Sequence, residues 1–189
     1  MWSEEKIDEY LRKKLKTNRY EHSLGVKNTA IELALKYGAN PFKARIAGIV
    51  HDCAKNMSNN EIINMVKENN YEVDDIYQNS PQLLHGLAGA IIAKNIMGIE
   101  DEDIFNSIAY HTTARENMSL LEKIIYIADY VEPLRNFSGV DELRKIVNQN
   151  LEEALILSLS NTICYVINKG ELLHFNTVKA RNHLIIERL

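Results

Sequence analysis

Apolar residues recur along this chain every three or four positions, the spacing of one helix face, and no segment makes a convincing strand. In "SEEKIDEYLRKKL" Ile7, Tyr10, Leu11 and Leu15 share a side, and the pattern breaks near Thr17-Asn18. A second helix is predicted from about Arg19 to Tyr37, with Val26, Ala30, Leu33 and Ala34 inward and Gly38 as its stop. Asn40-Pro41 opens a third, because Asn accepts from free N–H groups and Pro is already shaped for a first turn. That helix runs into "AGIVHDCAKN", residues 47 to 56. "SNNEIINMVKEN" reads as a shorter amphipathic helix and "YEVDDIYQN" as an irregular connector.

Ser80-Pro81 repeats the cap-plus-proline start ahead of "PQLLHGLAGAIIAKNIMG". Its Gly86, Ala88, Gly89 and Ala90 form a small-residue patch suited to close approach of another helix, which gives mid-helix glycines a packing reason. Asp101 can cap "EDIFNSIAYH", and Ser119 can cap "LLEKIIYIADYVE", which Pro133 stops. "DELRKIVNQ", "EEALILSLSNTICYVINKG" and "TVKARNHLIIERL" complete a set of roughly nine helices. The expected fold is an all-α helical bundle forming a single domain over residues 1–189.

Composition agrees with this reading. Only 3 Pro and 8 Gly leave little material for the turns of an all-β fold, and no Pro-, Gly- or Ser-rich linker divides the chain. A net charge of −4 excludes a general nucleic-acid binder, which needs a basic face to neutralise phosphates. Charges interrupt every apolar run short of a membrane span, and "MWSEEKIDEY" lacks a signal peptide's basic and apolar regions, so the expected location is the cytoplasm. Cys53 and Cys164 form no C-x-x-C pair and are expected to be buried free thiols.

Chemistry is concentrated in a few polar residues at inward-looking helix positions. His22 lies one turn before Val26, and His51-Asp52 follows "AGIV". His85 follows Leu83-Leu84, His111 ends "IFNSIAYH", and Asp129 interrupts "IIYIADYV". Each alone fits an ordinary hydrogen-bonded core residue or cap. Together, four histidines and two aspartates would bury many polar groups, which a cation satisfies more readily than separate partners can. In an adjacent His-Asp doublet the imidazole can bind one metal while the two-oxygen carboxylate bridges to a second. Two ions about 3.5–4 Å apart generate a hydroxide nucleophile and clamp a phosphoryl displacement. Ligands of N and O only suit iron or manganese at least as well as zinc.

The set His22, His51-Asp52, His85, His111 and Asp129 resembles the HD-domain superfamily, with its H…HD…D signature on an all-α scaffold. More closely, "RYEHS", "HDCAKNM", "LLHGLAGA", "YHTTARENMS", "LLEKIIYIADYVEPLRNFSGV" and "LHFNTVKARN" look like the bacterial YqeK family, in order over about residues 19–182. The resemblance implies a symmetrical dinucleoside tetraphosphate hydrolase that converts diadenosine tetraphosphate and water to two ADP. It implies two transition-metal ions, iron foremost with manganese or zinc as alternatives, held by those six residues with Asp52 bridging. Asp52 and Lys55 are the expected catalytic residues. Arg19, Lys55, Thr112, Arg135 and His174 are the expected contacts to an ADP-like nucleotide or dinucleoside polyphosphate. A homodimer is also the family expectation. Ala114 stands where the family leads one to expect glycine, and Phe175 where it leads one to expect proline. Other readings of the same centre are a phosphohydrolase of a nucleoside monophosphate, deoxynucleoside triphosphate, guanosine alarmone or cyclic dinucleotide. A nucleotide-sensing module without turnover is a further one.

Overall fold

The computed structural model describes all residues, Met1–Leu189. It is all helical, as expected: α1 Glu4–Lys14, α2 Thr17–Tyr37, α3 Pro41–Val50, α4 Asn59–Glu68, α5 Asp75–Asn79, a 3-10 turn Pro81–Leu84, α6 His85–Asn95, α7 Glu102–Ala109, α8 Leu120–Val131, α9 Val140–Val147, α10 Leu151–Asn168 and α11 Phe175–Ile186. No helix is long and apolar enough to cross a membrane.

Capping residues set these boundaries. The Asn40 side chain accepts from Phe42 and Lys43 N–H, Asp101 accepts from Asp103 and Ile104 N–H, and Ser119 forms a reciprocal capping box with Glu122. Two departures from expectation lie together. Within the expected connector, Asp74 caps the five-residue α5, which buries no side chain and so offers no periodicity to read. Ser80-Pro81 then opens a 3-10 turn, with no side-chain cap from Ser80. Gln82 O is taken by the His85 ring and Leu83 O by the Thr112 hydroxyl, so these carbonyls serve side chains rather than an α-helical ladder.

Helices α2, α3, α6, α7 and α8 surround the interior point that matters here. α3 packs on α2, α7 and α8, and α6 packs on α7. Ile46 and Ile49 of α3, Ile108 of α7 and Ile124, Ile125 and Ile127 of α8 are buried in the core these helices share, each contributing ~1.5–3 kcal/mol of hydrophobic stabilisation. The small-residue patch has the predicted effect: a Cβ on Gly86 would lie 2.8 Å from Ala109 O and 2.9 Å from Ile108 O. Only glycine lets the start of α6 approach the end of α7 this closely. Helices α9 and α10 pack on α8, and α11 packs on α10. Of the two thiols, Cys53 is buried but Cys164 is exposed, because the end of α10 runs past the helices that cover its beginning.

Candidate metal centre

Five helices deliver the six candidate donors. His22 lies within α2, His51 caps α3, and Asp52 lies in the turn that follows. His85 opens α6, His111 follows α7, and Asp129 sits in the last turn of α8. All four histidines and Asp52 are buried, while the Asp129 side chain is 21% exposed and marks the open side. Two donor triads, His22-His51-Asp129 and His51-Asp52-His111, have their ligand atoms within 4.8 Å of one another.

The histidines all present the same nitrogen to the centre. Nδ1 of His51 lies 2.7 Å from Gly48 O, Nδ1 of His111 2.7 Å from Ile108 O, and Nδ1 of His85 2.5 Å from Gln82 O. A carbonyl only accepts, so each Nδ1 carries the proton and donates it, leaving Nε2 with a bare lone pair. His22 does the same through a side chain: its Nδ1 lies 2.9 Å from the buried Glu132 Oε1. This is how proteins orient metal-binding imidazoles.

Asp52 faces both ways. Its Oδ1 lies 2.9 Å from His85 Nε2 and 3.6 Å from His111 Nε2, and its Oδ2 lies 3.5 Å from His51 Nε2 and 3.8 Å from His22 Nε2. His22 Nε2 also meets Asp129 Oδ1 at 2.9 Å, and the Nε2 atoms of His85 and His111 are 3.1 Å apart. Burial by itself would raise the Asp52 carboxyl, but His51 and the other imidazoles around it, His111 and His85, hold it well below the usual carboxylate range. For Asp129, burial is outweighed by His22 and Arg135, with the same result. Burial pushes His85 down to about 4, so it is neutral near pH 7. Carboxylate oxygens and imidazole nitrogens therefore converge on one buried point. His22 Nε2, His51 Nε2 and Asp52 Oδ1 are buried without hydrogen-bond partners. A cation satisfies such a donor set.

Residues 19–134 match the HD domain family. The chain belongs to the HD-domain family. It is 42% identical over 174 residues to a protein of Halalkalibacterium halodurans named bis(5'-nucleosyl)-tetraphosphatase, symmetrical, with 92% of each chain covered. It is 41% identical to a Bacillus subtilis protein of the same name, covering 93% of this chain and 94% of that one. A crystal structure from Clostridium acetobutylicum, described as a predicted HD superfamily hydrolase involved in NAD metabolism, superposes with a TM-score of 0.97. It shares 55% identity and covers 99% of each chain.

Around the HD doublet His51-Asp52, three cations touch the donor cluster. Arg19 Nη1 lies 2.7 Å from Asp52 Oδ2, Lys55 Nζ lies 3.1 Å from His85 Nε2, and Arg135 bonds the Asp129 carboxylate and, at 2.7 Å, its backbone carbonyl. Burial lowers the Lys55 ammonium, with Asp52 opposing. The other two expected contacts lie elsewhere. The Thr112 hydroxyl donates to Leu83 O at 3.1 Å. His174 is buried against the Tyr77 ring, its Nδ1 accepting from Asn176 N–H as the cap of α11. Its Nε2 is unpartnered, 3.8 Å from Asp74 Oδ2. The Thr177 hydroxyl ties this cluster to Thr113 O, two residues past His111. Ala114 follows with φ 57°, the left-handed backbone that accounts for an expected glycine.

Sequence reasoning missed Glu132. It follows Asp129 by three residues on the same helix face, and its carboxylate fills the space a Cβ on Gly25 would need. The pairing of Gly25, one turn after His22, with an acid beside Pro133 was the available signal.

Proposed function

We propose that this protein is a symmetrical dinucleoside tetraphosphatase, hydrolysing diadenosine tetraphosphate at one of its two central phosphorus atoms to give two ADP. The observation that carries the substrate is the 41–42% identity to proteins bearing that name, over nearly the whole of both chains. The site supports the reaction class. We infer a two-metal centre in which His22, His51, Asp129 and Asp52 would hold one ion and His85, His111 and Asp52 the other, of the iron, manganese or zinc class that N and O donors suit. Bound metal supplies Lewis acidity and an activated water.

The chain's own residues do the rest. Asp52 holds the two halves of the centre in register, and Glu132 and the three carbonyls keep each imidazole lone pair aimed. Arg19, Lys55 and Arg135 neutralise polyphosphate oxygens, and Lys55 stabilises charge on the departing diphosphate, since positioning and electrostatics dominate phosphoryl transfer. His174, held as an Nε2–H donor, and Thr112 belong to the nucleotide-facing wall beyond His111. Unpaired Cys53 and Cys164 accord with a reducing, cytoplasmic setting.

The test is anaerobic metal reconstitution followed by a panel of diadenosine tetraphosphate, its triphosphate and pentaphosphate homologues, NAD, a deoxynucleoside triphosphate and a nucleoside monophosphate, with products separated by chromatography. ADP as the only product, with heavy oxygen from labelled water in its terminal phosphate, is expected. AMP plus ATP would overturn symmetrical cleavage, and preferred cleavage of NAD would favour the description given to the Clostridium acetobutylicum protein. Binding without turnover would indicate a sensor.

A further inference from the structure

The end of α8 closes without a glycine. Its last carbonyls have no partners within the helix, and two arginines take them. Arg135 Nε donates to Asp129 O at 2.7 Å. Arg144, on α9 and beyond the residues matching the HD domain, donates from Nε to Val131 O at 2.9 Å and from Nη2 to Glu132 O and Arg135 O, both at 2.8 Å. Its Nη1 is held by Asp141 Oδ1 at 2.7 Å. The backbone so gripped carries two side chains that reach the centre. Glu132 uses Oε1 for His22 Nδ1 and Oε2 for Leu134 N–H at 2.7 Å, and Arg135 bonds the Asp129 carboxylate. His22 closes the circuit through Asp129. We propose that Arg144 is a positioning residue for this half of the centre: by fixing the Val131–Arg135 turn it sets where Glu132 holds His22 and where Arg135 meets Asp129. This inference rests on the metal-centre reading above.

A planar guanidinium is needed because three carbonyls are reached from two nitrogens of one fork, which an ammonium cannot reproduce. Arg144→Lys and Arg144→Met are compared with the wild-type chain in metal-free form. Folding is followed by far-UV circular dichroism, and Co(II) binding by its visible absorption, a readout independent of turnover. The expected result is folded variants with Co(II) affinity lowered ~10–100-fold in Arg144→Met, the range for outer-shell partners of metal ligands, and an intermediate loss in Arg144→Lys. The absorption band should change as His22 loses its fixed orientation. A helix cap with no positioning role would lower the melting temperature and leave affinity and band unchanged. Affinity within twofold of wild type in folded Arg144→Met, or in Arg144→Lys should the first not fold, would overturn the proposal. A wild-type chain that binds no Co(II) would remove the metal-centre reading as well.

Discussion

The two halves of the donor cluster are oriented by different means. On the His85-His111 side, both rings are fixed by backbone carbonyls three residues earlier, and both side chains are buried. On the His22-Asp129 side, the orienting groups are side chains: Glu132 for His22 and Arg135 for Asp129, with Asp129 partly open to solvent. His51 uses a carbonyl, and Asp52 touches both sides. A ring held by its own helix is right whenever the helix is right. A ring held by a distant carboxylate depends on a tertiary contact 110 residues away in sequence. The half with the partly exposed Asp129 is thus the adjustable one, and the closed half is the fixed reference.

Four substitutions would break or sharpen that contrast. Asp52→Ala removes the group shared by both sides. Activity should fall by more than ~100-fold, beyond the range for outer-shell changes, and steady-state hydrolysis of diadenosine tetraphosphate checks it. Glu132→Gln acts on the side-chain-held half alone. An amide can accept from His22 or from Leu134 N–H but cannot satisfy both as the carboxylate does, so metal affinity should drop ~10–100-fold with little change in melting temperature. An unaltered metal titration would show that His22 needs no carboxylate.

Gly86→Ala tests the backbone-held half. The new Cβ meets carbonyl oxygens of Ala109 and Ile108 that cannot swing aside, so stability should fall by ~1–3 kcal/mol, and denaturant unfolding measures it. Activity should fall with stability here, unlike in Glu132→Gln, because orientation and fold are the same thing on this side. Smallest is Ala114→Gly, just past His111. Relief of a left-handed backbone that costs ~1–2 kcal/mol is offset by a lost buried methyl and a looser unfolded chain, so the net change should stay within ~1 kcal/mol and turnover should hold. A tenfold loss of turnover would mean that the loop's strain is used.

The same contrast governs what is legible in the amino-acid sequence. Histidines and aspartates on apolar helix faces are conspicuous, so His22, His51, Asp52, His85, His111 and Asp129 stand out from their neighbours in the chain. The helices are legible through Asn40-Pro41, Asp101 and Ser119, whose side chains advertise a start. Glu132 is not, since a glutamate before a proline at a helix end is ordinary and its burial arises only when α8 docks on Gly25 of α2. Arg144 is hidden for a similar reason: it lies on a short amphipathic helix whose basic residues look like solvated surface. Five-residue α5 is too short to show a period.

The cationic mouth has a kinetic side. Arg19, Lys55 and Arg135 gather side-chain cations beside the donor cluster of a chain whose net charge is −4. If these cations steer a polyanion inward, kcat/KM should fall as ionic strength rises, which steady-state rates across a salt series would check. In the proposed reaction, however, hydrolysis creates new ionised phosphate: the two diphosphates together carry more negative charge than the tetraphosphate they came from. The attraction that speeds arrival also opposes departure of the more highly charged products.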